Sequence, residues 1–294
     1  MKLLLVGTLP YPDFPLTCGE VGFDGDELAV GGRKFSRTQG TGAMITAALT
    51  VTNYLKLSPP KVLVAGDTGE GKGTRAMFGY LIENIGELAP DYLVLHYCLP
   101  IMSLVKRICQ SIDVAKKPVF LIADAGGMYA AKAAKLAPKF DIFTPDPAEM
   151  AFLADPAATH PAYVSKHLFA QDASKVPRQI EAAYKNKDAA KLLIVKGATD
   201  YIAENGKIKF TLSEPDVPPL EPIGGTGDTI TGLVSGLVYG GYRPLDAAII
   251  ATKTNRAAGR SVNPTPATLV KEIADAFPAV LDKYLSEWSK NPAA

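Results

Sequence analysis

The sequence predicts an α/β protein built on a doubly wound, mostly parallel sheet flanked by helices. Three observations carry that prediction. Short apolar runs ending at turn residues recur along the 294 residues. The runs show little alternation, as strands buried on both faces do. Helical periodicities lie between them, which is the pattern of strand-helix alternation.

In chain order the runs are 2–7, 61–66, 91–97, 118–123, 140–144 and 191–197, each rich in Val, Ile and Leu. Phe78, Leu81, Ile82 and Ile85 then follow helical spacing, as do Ile230, Leu233, Val234, Leu237 and Val238, with Gly232, Ser235 and Gly236 on another face for close packing. Two hairpins are expected, one turning at Asp24-Gly25 and one at Asn205-Gly206. The four prolines of 213–222 predict an extended connection. Pro244 suits the first turn of a helix running to about Ser261, and a final amphipathic helix should begin near Pro266. At about 150 residues per domain the length is a soft prior for two domains. No linker splits the chain, so a single domain over 1–294 with a small hairpin insertion near 20–33 is expected.

Composition narrows the function. Hydrophobic residues make up 47 % and charged residues 21 %, a globular mix that excludes a disordered chain or a collagen. A net charge of +1 gives no field to draw in nucleic acid or an anionic membrane. Lys166, Lys175, Arg178, Lys185, Lys187 and Lys191 lack interleaved aromatics and read as a solvated face. Cys18, Cys98 and Cys109 are odd in number and form no CxxC pair, and His96, His160 and His167 lack metal-ligand spacing. A reducing, cytoplasmic setting is therefore expected, with Cys98 and Cys109 in the core and His96 buried and hydrogen-bonded. The apolar run after Met1 is too short for a signal peptide. The stretch 223–242 carries Asp228 and seven glycines, a poor membrane span. The oligomeric state stays open, a homo-oligomer included.

In doubly wound sheets ligands bind outside the carboxyl ends of the strands, and unusual residues recur there. Gly224-Gly225-Thr226-Gly227-Asp228-Thr229 directly precedes a helix. Glycines let backbone approach a ligand, and a helix N-terminus adds roughly half a positive charge, so this is an anion site. Asp228 has two readings of equal standing. It either caps the helix or takes a proton from a hydroxyl about to attack a phosphoryl group. Gly66-Asp67-Thr68-Gly69-Glu70-Gly71-Lys72-Gly73 nearly spells a P-loop, but Gly73 stands where Ser or Thr should hold Mg²⁺, and Asp67 and Glu70 oppose phosphate. It is a degenerate P-loop, a substrate-anion loop through Gly69 and Gly71, or a plain strand-helix turn. Thr38-Gln39-Gly40-Thr41-Gly42 precedes another helix and reads as a turn and cap, or as a substrate site through Gly40 and Gly42.

Gly224-Gly225-Thr226-Gly227-Asp228 resembles the glycine-rich signature of the ribokinase-like superfamily, and its doubled glycine is most similar to the NAD(P)H-hydrate dehydratase branch. Thr144-Pro145-Asp146-Pro147-Ala148-Glu149-Met150, Ile122-Ala123-Asp124-Ala125 and Val195-Lys196-Gly197-Ala198 resemble further segments of that branch, in matching order over about 118–262. The resemblance implies a ribokinase-like fold with ATP or ADP and Mg²⁺ as cofactors. It implies Asp228 as base and the N–H groups of Gly225, Thr226 and Gly227 as the anion hole. It further implies Glu149, with Asp146, on the metal side, Lys196, Gly197 and Asn255 at the nucleotide, and Asp124 facing substrate or metal. Asp146 stands where the family has His or Asn, Ala148 replaces Gly, and residues 1–60 do not match.

Two activities follow from that resemblance. One is transfer of the ATP γ-phosphate to a hydroxyl of a small sugar- or nucleotide-like substrate. The other is ATP/ADP-dependent dehydration of NAD(P)H hydrate, in which the phosphorylated hydroxyl is eliminated. Two readings lie outside these: a non-catalytic nucleotide-binding protein, and a P-loop ATPase centred on Lys72.

Overall fold

The structure, a computed structural model, describes residues 1–159 and 173–293. Lys166, His160 and His167 lie outside the described residues. The chain divides into two compact units whose segments interleave, so no single linker separates them.

The first unit comprises Met1–Leu16, Leu63–Gly197 and Tyr201–Lys209. Its strands are β1 (Leu3–Leu9), β6 (Lys61–Gly66), β7 (Tyr92–Leu95), β8 (Phe120–Ala123), β9 (Ile142–Phe143), β10 (Leu192–Val195), β11 (Asp200–Glu204) and β12 (Lys207–Leu212), the last running past the unit's end. They lie in the order β12-β11-β10-β9-β8-β7-β1-β6. β1, β7, β8, β9 and β10 pair parallel, with Leu4 opposite Leu93, Val94 opposite Ile122 and Leu193 opposite Phe143. Their apolar side chains are buried almost without exception, as expected for strands covered on both faces. β10 and β11 pair antiparallel, and Asn205-Gly206 turns the chain into β12 with both residues at positive φ, the type I′ geometry this dipeptide favours. Helices α2 (Lys72–Leu88), α3 (Met102–Ala115), α4 (Ala125–Ala133), α5 (Pro147–Ala154) and α6 (Val176–Lys185) cover the sheet. On α2 Phe78, Leu81 and Ile85 point into the core, while Ile82 stays half-buried.

The second unit comprises Thr17–Val62, Ala198–Asp200 and Phe210–Ala294. It holds β2 (Thr17–Glu20) and a three-stranded antiparallel sheet of β3 (Gly22–Asp24), β4 (Glu27–Val30) and β5 (Arg33–Ser36). The first hairpin turns on Gly25-Asp26, one residue later than expected, because Asp24 still pairs with Glu27 and only Gly25 takes positive φ. A second turn at Gly31-Gly32, both at positive φ, was legible as a glycine pair but not read. The helices are α1 (Gly40–Tyr54), α7 (Thr226–Tyr239), α8 (Pro244–Ser261), α9 (Val270–Asp275) and α10 (Phe277–Lys290). α1 and α7 press together where a Cβ on Gly232 would lie 2.1 Å from the Met44 carbonyl and one on Gly236 2.7 Å from Val51, so the small-residue face predicted on α7 is a close helix contact.

Two expectations need correction in this unit. The connection 213–222 is not extended throughout, since Pro218–Leu220 form a 3₁₀ turn. The last helix starts at Val270, not Pro266, because Thr265 and Thr268 close a turn first. It then breaks at Phe277, where Pro278 in the next first turn brings no N–H. Among the described residues no helix is long and apolar enough to cross a membrane.

Candidate active site

In the second unit the 224–228 loop opens α7. Gly225 is the residue before the helix at φ 100°, and a Cβ there would meet the Cα of Gln39 at 2.9 Å and Val270 at 3.0 Å. Only glycine fits both the conformation and the space. Thr226, Gly227 and Asp228 form the first helical turn, whose N–H groups have no intrahelical acceptor. Asp228 is 8 % exposed, and its Oδ2 accepts from the Gly40 N–H at 2.8 Å across 188 positions of sequence. The carboxylate is thus tied to a turn outside its own helix.

Gly40, expected at a substrate, spends its N–H on Asp228 instead. The turn that delivers it is strained, for Gln39 sits at φ 45° and ψ 160°, a region that L-residues rarely enter. Gly42 is explained by packing, since a Cβ would lie 2.2 Å from the Ser36 carbonyl. Asn255 on α8 reaches the same first turn. Thr229 Oγ1 lies 2.7 Å from Asn255 Oδ1, and Asn255 Nδ2 donates to the Thr226 carbonyl at 3.1 Å. The neighbouring Arg256 donates to Asp200 at 2.7 Å and to the carbonyls of Ala198, Ser213 and Pro215. That clamp is invisible in sequence because it joins three distant segments.

In the first unit the parallel strands β7, β8, β9 and β10 end on one edge. Asp124 follows β8 and is buried. Its carboxylate accepts from Lys196 Nζ at 2.8 and 3.0 Å, and His96 Nε2 stands 3.6 Å away. Burial pushes the Asp124 carboxyl up, but the Lys196 ammonium and His96 outweigh burial and hold it below the usual carboxylate range. Gly197 follows Lys196 and is exposed. A Cβ on Gly126 would lie 1.8 Å from the Cys98 carbonyl, so glycine lets α4 start against the 96–99 loop. Cys98 is half-buried rather than core, while Cys109 and His96 are buried as expected.

Asp146 and Glu149 form a reciprocal capping box on α5. Asp146 Oδ1 accepts from the Glu149 N–H and Glu149 Oε2 from the Asp146 N–H, both at 2.8 Å. The Asp-x-x-Glu spacing ahead of an apolar run signals this box, a role beside the metal side that the resemblance implies. The box engages one oxygen of each carboxylate. Burial, then the charges of Asp124 and Asp146, push the Glu149 carboxyl up to about 8, and Tyr129 is hydrogen-bonded to it. A carboxyl so destabilised as an anion is one whose charge a bound cation would favour.

The 66–73 loop is already filled by its own side chain. Asp67 Oδ1 accepts from the N–H groups of Gly69 at 3.0 Å and Gly71 at 2.9 Å, and Oδ2 from the N–H of Thr74 at 3.0 Å. Gly69 and Gly71 thus hold an internal carboxylate in place of the expected substrate anion. Thr74 Oγ1 donates to Asp67 and accepts from the Leu99 N–H. A Cβ on Gly73 would lie 2.3 Å from the Gly66 carbonyl, which is why no Ser or Thr stands there. Lys72 is exposed and pairs with Glu70 at 2.7 Å. The plain strand-helix turn is the reading this geometry supports.

Comparison with known proteins agrees on the family. The NAD(P)H-hydrate dehydratase family model matches residues 92–278. A Methanocaldococcus jannaschii protein described as uncharacterized is 40 % identical over 242 residues, covering 82 % of this chain and all of that one. An ADP-dependent (S)-NAD(P)H-hydrate dehydratase of Nitrosopumilus maritimus is 37 % identical over 99 residues, a third of each chain. Among solved structures, an ADP/ATP-dependent NAD(P)H-hydrate dehydratase of Bacillus subtilis, co-crystallized with ATP/Mg²⁺, superposes with a TM-score of 0.54 at 16 % identity, over 96 % of this chain and 91 % of that one. Pyridoxal kinase of Entamoeba histolytica gives 0.56 at 16 % identity, over 94 % and 95 %. The fold is thus ribokinase-like, and the chain belongs to the NAD(P)H-hydrate dehydratase family, a family of enzymes.

Proposed function

We propose that this protein is a nucleotide-dependent enzyme that activates a substrate hydroxyl, and that its reaction is the ATP- or ADP-dependent dehydration of NAD(P)H hydrate. The observation that carries the reading is Asp228, a nearly buried carboxylate held from outside its own helix at a glycine-rich helix start whose first-turn N–H groups have no intrahelical acceptor. Family membership supports the choice of dehydration. In this reading Asp228 accepts the proton of the substrate hydroxyl as that oxygen attacks the terminal phosphorus. The bond from phosphorus to the nucleotide's bridging oxygen breaks as the new one forms. The N–H groups of Gly225, Thr226 and Gly227 hold the negative charge that develops on the transferring group. In the dehydration the phosphorylated oxygen then leaves its carbon as phosphate while the neighbouring carbon gives up a proton to solvent, and the ring double bond forms between them.

We assign Lys196 and Gly197 to the nucleotide and Asp124 to the substrate or metal side. The oxygen donors of Glu149 and Asp146 fit a hard cation such as Mg²⁺, which when bound would neutralise phosphate charge. The free thiols of Cys18, Cys98 and Cys109 support a reducing, cytoplasmic setting.

A small-molecule kinase is the second reading. What favours it is that residues 1–91, with the Gly40 turn and the 66–73 loop, lie outside the family match. Incubation with hydrated NADH, Mg²⁺ and either ATP or ADP separates the two. Recovery of NADH absorbance with release of phosphate is the expected result. A phosphorylated alcohol from another hydroxylated substrate, with no NADH recovered, would select the kinase. Thermal stabilisation by nucleotide with no product from any substrate would select a non-catalytic binder.

A further inference from the structure

We propose that Asn255 is a positioning residue for the phosphate cradle and not a contact for the nucleotide's base. The proposal rests on the reading of Gly225, Thr226 and Gly227 as that cradle. Asn255 sits within α8, and both ends of its amide are committed to the first turn of α7. Thr229 Oγ1 donates to Oδ1 at 2.7 Å, and Nδ2 donates to the Thr226 carbonyl at 3.1 Å. The orientation of the amide is fixed by its partners. Turned over, it would set Oδ1 against the Thr226 carbonyl oxygen, two acceptors facing one another.

The consequence follows from the peptide bond. The Thr226 C=O and the Gly227 N–H belong to one rigid plane and point in opposite directions. Holding the carbonyl from α8 therefore aims the Gly227 N–H, one of the three cradle donors. The Thr229 N–H donates to the Gly225 carbonyl at 3.0 Å, and Thr229 Oγ1 lies 2.7 Å from the Thr226 carbonyl as well as from Asn255 Oδ1, so its single proton is shared between those two acceptors. Gly227 has no side chain with which to fix its own plane, and Asn255 adds a constraint from a neighbouring helix to the intrahelical bond that the Thr226 carbonyl accepts.

The test compares Asn255→Ala with the wild type on three probes in the presence of Mg²⁺: ATP, inorganic tripolyphosphate, which has no base, and adenosine, which has no phosphate, measured by competition. Losing one aiming hydrogen bond should weaken ATP and tripolyphosphate by the same factor, about 3- to 10-fold, and leave adenosine unchanged. Loss on ATP and adenosine with tripolyphosphate unchanged would make Asn255 a base contact and overturn the proposal. Equal loss on all three would make its role merely structural and also overturn it. Thr229→Val, which keeps shape and removes the hydroxyl, should show a smaller loss in the same pattern, and unchanged binding of every probe would contradict the proposal. Should the wild type bind neither ATP nor tripolyphosphate, the cradle itself is misread, an outcome distinct from any failure of Asn255.

Discussion

Two glycine-rich loops in this protein are built alike and finish differently. Each ends on a glycine at positive φ, Gly71 at 76° and Gly225 at 100°, and each opens a helix. In the 66–73 loop a carboxylate lies at the start, and Asp67 folds back to take the N–H groups of Gly69, Gly71 and Thr74. In the 224–228 loop the carboxylate lies after the glycines. Asp228 accepts the Gly40 N–H from outside the helix. The two helix N-termini thus differ in where the nearest acid stands. Glycine content alone does not distinguish them.

The sharpest way to break the comparison is to change the glycine. Gly225→Ala combines left-handed strain with a Cβ 2.9 Å from backbone and should cost about 2–5 kcal/mol by chemical denaturation, together with nucleotide binding. Unaltered stability would mean that the turn is not held as described. Asp67→Ala is the next largest. Several hydrogen bonds to a charged acceptor are lost at a partly exposed site, about 2–3 kcal/mol. The emptied N–H groups should then gain a measurable stabilisation by sulfate or phosphate that the wild-type loop lacks.

Acid sharpens the same point. Burial would raise the Asp67 carboxyl, but the hydrogen bonds from Thr74, Gly71 and Gly69 prevail and hold it below its ordinary 3.8. Its stabilisation is complete above that value and fades as pH falls through the lower folded one. The difference in stability between wild type and Asp67→Asn should therefore shrink below about pH 4. A constant gap down to pH 2 would contradict the hydrogen-bonded carboxylate. Smallest is Lys72→Ala, which removes an exposed pair and should leave both stability and ATP affinity unchanged. A loss of nucleotide binding there would restore the P-loop reading.

Much of this was legible in the chain. Apolar runs mark the parallel strands because both faces of such strands are buried, and Asn205-Gly206 marks its hairpin because both residues accept positive φ. The 224–228 motif stands out because glycines directly before a helix leave its N–H groups open to a ligand, with an acid beside them. What sequence could not carry was distance. No local pattern connects Gly40 to Asp228, Asn255 to Thr226 or Arg256 to Asp200, since each contact joins segments brought together only by tertiary packing. The capping box of Asp146 and Glu149 is legible in the Asp-x-x-Glu spacing, whereas the family resemblance assigns both acids to the metal side. The broken last helix was missed because periodicity continues across Pro278 even though the backbone hydrogen bonds do not.

The central claim is that Asp228 is the base and the glycines before it the anion site. Asp228→Asn keeps the shape and the acceptor for the Gly40 N–H and removes the basicity. Measured at saturating ATP or ADP on hydrated NADH, its turnover should fall about 100- to 10,000-fold while nucleotide affinity stays within a few-fold of wild type. Turnover that survives the change would contradict the account.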